Sequence, residues 1–271
     1  MQAALRNTPM DTTAYLHRIG LTPGSVDHKD RNTLRRLQRA HVTTVPFENL
    51  SIVGASQRSE NGHGVNLSPS ALYEKIVERN RGGYCFELNG LFHDLLTALG
   101  YEVDRLAARV TSALQTPANH HPILVHLEEP VLVDVGTGPP MSRRPLPLDG
   151  TPRTDEAGVT WRVVDSERSD ATYCAEVRPP DASEWSGRYV FTLPSRPRSY
   201  FAAANDYLQS APESPFTGDP LVALSIHDGY HKLSGHTLTH VKNGSTTERR
   251  VTEDERAEAL SRLFGLSPDL L

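Results

Sequence analysis

Apolar positions along the first hundred residues recur at helical spacing. Asp11 precedes a stretch in which Tyr15, Leu16 and Ile19 fall on one face. Leu34, Leu37 and His41 repeat that spacing until Pro46 ends it. Ser68-Pro69 is a cap followed by proline at the first helical position, with Leu72, Ile76 and Val77 as the buried stripe. A further helix opens near Cys85 and carries Leu88, Leu91, Phe92, Leu95, Leu96 and Leu99, and Gly100 stands where a left-handed cap belongs. The intervening Gly54–Gly64 segment (GASQRSENGHG) is polar and glycine-rich and reads as a mobile loop.

After Gly100 the period shortens. Val103–Val110, Ile123–Leu127, Val131–Val135, Trp161–Val164, Thr172–Val177 and Tyr189–Leu193 are short β-rich runs separated by Pro, Gly and Asn. Such a series predicts an antiparallel barrel or sandwich rather than alternating β-α units. Gly138–Pro147 and Pro179-Pro180 read as loops. From Tyr200 the pattern is mixed: a short helical patch, then strands around Leu221–Ile226 and Lys232–Thr239. A last helix has Thr252 and Glu255 in capping-box register, buries Leu260, Leu263 and Phe264, and stops at Gly265 and Pro268.

Composition narrows the class. The 271 residues include 28 basic and 33 acidic side chains, a formal charge of −5, which with no basic block argues against nucleic acid as a partner. An apolar content of 37% is enough for a full core. No apolar run approaches the ~18 residues of a membrane span, and the N-terminus lacks a signal-peptide core. Two cysteines are too few for a secreted disulfide framework, so a cytoplasmic protein with reduced thiols is expected.

The segment richest in chemistry is Arg81–Asn89 (RGGYCFELN). Two glycines permit a tight turn, and the cysteine then opens an amphipathic helix. Unsatisfied N–H groups and the positive end of the helix dipole there favour thiolate and are expected to lower the thiol pKa. The competing reading is a cysteine buried as a small hydrophobe. Downstream come Asn119-His120-His121, a strand, a turn at Glu128-Glu129, and a second strand reaching Asp134. A hairpin turned there folds Asp134 back toward the histidines. Flanked by Val133 and Val135, its carboxylate calls for a charged partner. Cysteine, histidine and aspartate in this arrangement supply thiolate, general base and orienting group. A plain barrel hairpin with surface histidines is the alternative.

Together, RGGYCFELN, Val45–Leu50 (VPFENL), Leu132–Gly136 (LVDVG) and Ser214–Thr217 (SPFT) resemble the arylamine N-acetyltransferases in identity and order, over about Tyr15–Leu266. The resemblance implies an α+β fold with a cysteine-proteinase-like catalytic core: a helical bundle (1–99) carrying the nucleophile, an antiparallel β-barrel (100–203) carrying His and Asp, and an α/β lid (204–271). It implies acetyl-CoA as donor and ping-pong transfer through an acetyl-cysteine to an arylamine or hydrazine. It further implies Cys85 as nucleophile, His120 as base and Asp134 as orienter. Aligning Leu124-Val125 with the family strand selects His120 over His121, which is then a solvent-exposed residue at the start of the strand. By the same resemblance Asn89 helps orient the site, Arg81 and Glu48 form a structural ion pair, and Thr116, Asn119 and Thr217 lie in segments that contact the coenzyme. Thr137 stands where the family commonly has a phenylalanine walling the acceptor pocket, which implies a larger, more polar pocket.

The partners so implied are a small-molecule acyl donor and an amine acceptor, acting on a monomer or weak homo-oligomer. The runner-up is an amide synthase of the same fold closing a macrolactam on a polyketide acyl chain. A papain- or transglutaminase-like hydrolase would share the triad but not VPFENL and LVDVG in this order. A silent binding module would have no need of the triad. His227, His231, His236 and His240 bring zinc to mind, but no Cys or Glu completes a known spacing and they read as a solvated strand pair with no metal. His126 reads as exposed and Cys174 as a core residue. Gly136 and Gly138 form a G-x-G with no helix pattern behind it, which carries no nucleotide signal.

Overall fold

Side-chain caps decide where the N-terminal helices begin. The computed structural model describes residues 10–54 and 64–271, so the interior of the Gly54–Gly64 loop lies outside the described residues. Helix α1 (Thr12–Arg18) starts where the Asp11 carboxylate accepts the Ala14 N–H at 3.1 Å. Helix α2 (Arg31–Val42) starts where Asp30 accepts from Thr33 at 2.7 Å. After a two-residue strand, β1 (Phe47–Glu48), come the single turn α3 (Leu50–Val53) and α4 (Pro69–Tyr73), the latter capped by Ser68 and running into one π-type turn at Glu74–Glu78. Helix α5 (Cys85–Ala98) follows, and Gly100 takes φ +83° just beyond it. Eleven of the fourteen residues of α5 are buried, so the helix runs through the core and its first residue is fixed by packing on every side. Tyr15, Leu16, Leu34, Leu37 and Leu72 belong to the same core cluster.

The middle of the chain is an eight-stranded antiparallel sheet. Its strands are β2 (Glu102–Val110), β3 (Ile123–His126), β4 (Val131–Val133), β5 (Leu146–Pro147), β6 (Arg153–Thr154), β7 (Thr160–Asp165), β8 (Tyr173–Arg178) and β9 (Ser186–Ser195). They run in the order β5-β4-β3-β2-β9-β8-β7-β6, and β5 lies against β7, which nearly closes the barrel. Leu106, Leu124, Leu132, Trp161 and Phe191 fill it. Helix α6 (Ala202–Ser210) leads to β10 (Leu221–Ile226), β11 (Gly229–Ser234), β12 (Thr237–Lys242) and β13 (Ser245–Arg250). These pair antiparallel in sequence order, and β1 adds to β10, so the segment Phe47–Glu48 is stitched into the C-terminal sheet. Helix α7 (Glu253–Phe264) covers one face through Ala259, Leu260 and Phe264, and both halves of its Thr252/Glu255 capping box are formed.

The α+β class with helical bundle, barrel and C-terminal sheet-and-helix layer is thus as expected. Several local expectations change. The Lys232–Thr239 run is two strands, broken by Gly235 at φ +53°. Strand β13 has all six residues exposed, so it carries no apolar alternation to read. Leu146 and Pro147, expected in a loop, form β5. Cys174 is half-buried, because Ala175 and Val177 take the core face of β8. His126 is half-buried and bonded to Asp104 at 2.7 Å. Among the described residues no helix is long and apolar enough to cross a membrane.

Candidate active site

Two segments far apart in sequence fix the start of α5. Gly83 donates its N–H to Pro46 and its carbonyl accepts from Glu48 at 2.9 Å, so the diglycine lies flat along the Pro46–Glu48 backbone. A Cβ on Gly82 would stand 2.0 Å from the Pro46 carbonyl oxygen; no larger residue could lie so close. The guanidinium of Arg81 donates to Glu48 Oε1 at 3.1 and 2.8 Å, and Lys75 adds a second cation at 3.6 Å. Glu48 is fully buried. Burial pushes its carboxyl up, but Lys75, Arg81 and the Leu50 N–H outweigh this and hold it below the usual range. On the other side of the turn, the Glu87 carboxylate accepts the Tyr84 N–H at 3.1 Å and Lys75 at 2.7 Å. Cys85 therefore emerges at the first turn of α5 with its backbone held from both directions.

His120 is placed by the barrel. It exchanges two backbone hydrogen bonds with Ala108, at 3.0 and 3.1 Å, which extends β2 beyond its pairing with β3. The hairpin of β3 and β4 pairs Ile123 with Val133, so Asp134 returns to the level of His120. His120 Nε2 lies 2.6 Å from Asp134 Oδ2. Asp134 Oδ1 accepts from Asn89 Nδ2 at 2.9 Å and from the Gly136 N–H at 2.8 Å, while Asn89 Oδ1 accepts the Val135 N–H. Asn89, one turn along α5 from Cys85, thus ties the nucleophile's helix to the strand of the carboxylate. Burial raises the Asp134 carboxyl, but His120, Asn89 and Gly136 together hold it below the ordinary value. A Cβ on Gly136 would meet Cys85 Cα at 2.9 Å, which is how closely this strand end approaches the helix.

With Nε2 engaged by Asp134, the remaining ring nitrogen of His120 is Nδ1. Cys85 and His120 line the same cavity, of about 340 Å³. Phe47, Gly136, Leu208, Pro215 and Phe216 also line it, with the Phe47 and Phe216 rings 6.1 Å apart. All three layers of the fold contribute. A hollow of about 670 Å³ over 64–68 and α6 is larger but, among the described residues, is lined by neither a cysteine nor a histidine.

The thiol differs from its expected state. Burial, and then the negative charge of Asp134, push the Cys85 pKa well up, against the opposing pull of the Phe86 and Cys85 N–H groups. The first-turn N–H groups were expected to win, but they act on a sulfur that is 4% exposed, and removing it from water is the larger effect. The thiol meets the Asn119 carbonyl at 3.8 Å. Burial and Asp134 thus disfavour an isolated thiolate at this position.

The other expected residues fall as follows. His121 is buried, not solvent-exposed: its ring stacks on Phe86 at 5.5 Å and tilts against Phe201 at 4.8 Å, pointing away from the Cys85–His120 cavity lining. Thr116 lines the cavity. Asn119 does too, but its amide is committed to the Val110 N–H and the Ala113 carbonyl, bracing a loop in which Ala118 sits at φ +41°. The Thr217 hydroxyl donates back to Ala211 and Ser214 within its own turn, and Thr217 lies outside the cavity lining. Thr137 lines the cavity. Two further residues hold the site. Gln38 donates to the carbonyls of Asp134 and Ser142, and Tyr189 packs its ring 4.9 Å from that of His120. Gln38 was detectable as an amide inside the apolar stripe of α2, whereas Tyr189 looks like any other barrel aromatic.

A buried thiol and a carboxylate-bound imidazole thus face one cavity. A family model described as N-acetyltransferase matches residues 30–269. The arylamine N-acetyltransferase of Mycolicibacterium smegmatis is 33% identical over 95% of this chain and 92% of its own. The Mycobacterium marinum enzyme, solved in complex with CoA, superposes with a TM-score of 0.81 at 30% identity, covering 94% of this chain and 93% of that one. A Bacillus cereus relative described as having a unique Cys-His-Glu catalytic triad gives a TM-score of 0.82 at 26% identity, over 95% and 99% of the two chains. The chain belongs to the arylamine N-acetyltransferase family.

Proposed function

We propose that this protein moves the acetyl group of acetyl-CoA to an arylamine or aryl hydrazine in two half-reactions, through an acetyl-thioester on Cys85. The observation that carries the reading is the placement of Cys85 and His120 on one cavity, with Asp134 holding the far nitrogen of His120 at 2.6 Å.

In the first half-reaction the Cys85 proton passes to His120 as sulfur attacks the donor carbonyl. The coenzyme sulfur leaves and takes that proton back. Because the isolated thiolate is disfavoured here, charge separates only as imidazolium forms, and Asp134 is fixed where it stabilises that cation. Thioester for thioester is nearly isoenergetic, so little beyond thiolate formation and a site for the oxyanion is needed. The N–H groups of Cys85 and Phe86, at the open first turn of α5, are proposed as its donors. In the second half-reaction the amine lone pair attacks the acetyl carbon, the amine proton goes to His120, and the Cys85 thiol is restored. Aromatic amines and hydrazines are largely unprotonated near neutral pH and present that lone pair, whereas alkylamines do not.

Thr137 in the cavity wall favours a roomier acceptor site, the feature on which an amide-synthase reading rests. A volume of about 340 Å³ lies at the lower end for small-molecule sites and suits an acetyl group and one ring better than a polyketide chain. Steady-state rates at several fixed acetyl-CoA concentrations test the proposal. Parallel double-reciprocal lines with an aryl hydrazine are expected, with Cys85→Ala inactive; intersecting lines, or an active Cys85→Ala, would overturn it.

A further inference from the structure

We propose that Glu213 sets the charge selectivity of the acceptor site, favouring arylamines with a positive group at the far end of the ring and disfavouring those with a carboxylate. The inference rests on the acetyl-transfer reading and goes beyond it to the class of acceptor.

Most of the cavity wall is apolar or neutral. Apart from Cys85 and His120, the lining among the described residues holds one acidic side chain, Glu213, and no lysine or arginine. Its Oε1 accepts the Tyr207 hydroxyl at 2.9 Å; both residues are exposed and stand on the side of the cavity formed by the C-terminal layer. The carboxylate is bonded to a phenol rather than a cation, so its charge is left to act on whatever enters.

The segment around Glu213 is held firmly. Ser214 Oγ donates to the Leu208 carbonyl and accepts the Phe216 N–H. Thr217 Oγ1 donates to the Ala211 carbonyl at 2.8 Å. Asn49, from the VPFENL segment, donates to the carbonyls of Phe216 and Asp219 and accepts the Leu221 N–H. With the neighbouring backbone braced in this way, the Tyr207 hydroxyl on Oε1 holds the carboxylate at the cavity wall, the condition for it to discriminate rather than merely screen.

An acceptor whose amine reaches acetyl-Cys85 at one end of the cavity places its opposite substituent near the rim. For unit charges roughly 7 Å apart at effective dielectric constants of about 40 to 80, the interaction alters a rate by about three- to sevenfold. The sign is opposite for a cation and an anion, so their ratio is displaced by about tenfold or more. The effect is on an exposed charge and weakens with salt.

The test uses preformed acetyl-enzyme, freed of coenzyme, so that coenzyme phosphates play no part. Clearance is compared for 4-aminobenzylamine, cationic at neutral pH, and 4-aminophenylacetate, each insulated from the ring by one methylene. The wild type is expected to prefer the cation, by a ratio that shrinks at high salt. Glu213→Gln is expected to lower that ratio about tenfold, Glu213→Asp to retain most of it, and Tyr207→Phe to lower it partly. A ratio unchanged in Glu213→Gln, or both acceptors slowed by one common factor, would overturn the proposal while leaving acetyl transfer intact. Failure to form acetyl-Cys85 at all would be seen before any acceptor is added and would overturn both.

Discussion

Replacing Asp134 with asparagine keeps the outline of the side chain and removes its charge. In the wild type Oδ1 accepts from Asn89 and Gly136, and Oδ2 meets His120 Nε2 at 2.6 Å. The amide oxygen of the variant retains the first two partners, which leaves its NH₂ facing His120. A donor there forces Nε2 to act as acceptor and moves the ring proton to Nδ1, the nitrogen that has to take the Cys85 proton. The base is lost as a tautomer, and the imidazolium loses its counter-charge. A hydrogen bond to a charged group contributes about 1.5–3 kcal/mol. With the tautomer effect added, acetyl-enzyme formation should fall about 10²- to 10⁴-fold. Quenched-flow mass spectrometry of the acetyl-enzyme measures the rate, and a thermal melt on the same sample establishes that the variant is folded. A folded Asp134→Asn variant that keeps most of the wild-type rate would refute the orienting role.

Two further outcomes follow from buried charge. Arg81→Leu removes both of its hydrogen bonds to the buried Glu48 and leaves the carboxylate with the Leu50 N–H at 2.7 Å and Lys75 at 3.6 Å; urea unfolding should show a loss of about 3 kcal/mol, partly recovered when Glu48→Leu is added. The His41 ring is fully buried between Tyr15 and Phe92, and burial, then Arg18, lower its pKa to about 3. Its unfolded value is higher, so the unfolded chain binds more protons between the two. Stability is therefore complete above about pH 6.5 and falls by about 1.4 kcal/mol per unit as pH drops toward 3. Urea melts at pH 7 and pH 5 should show this slope, and His41→Leu should flatten it.

What could be read in advance follows from how local each signal is. The caps at Asp11, Ser68 and Thr252 lie within four residues of the helices they start, and each forms as read. The return of Asp134 to His120 depends on one short hairpin, so its register was legible from β3 and β4. The pairing of β1 with β10 joins residues some 175 positions apart and left no local trace. Strand β13, STTERR, has neither face buried and so no alternation. Burial explains the two largest surprises at the site. His121 looked like a solvent-facing partner to His120 until Phe86 and Phe201 were seen to enclose it. The helix terminus beside Cys85 is local and legible, but the cost of removing the sulfur from water appears only once the surrounding layers are assembled.

Acetyl transfer through the sulfur of Cys85 leaves a covalent trace. Intact-mass measurement of the protein mixed with acetyl-CoA alone, followed by peptide mapping, should show one added acetyl group, located on Cys85, labile to an aryl hydrazine and absent from Cys85→Ala. Turnover of acetyl-CoA and hydrazine with no such adduct, or with acetyl mapped to Cys174 or another residue, would contradict it.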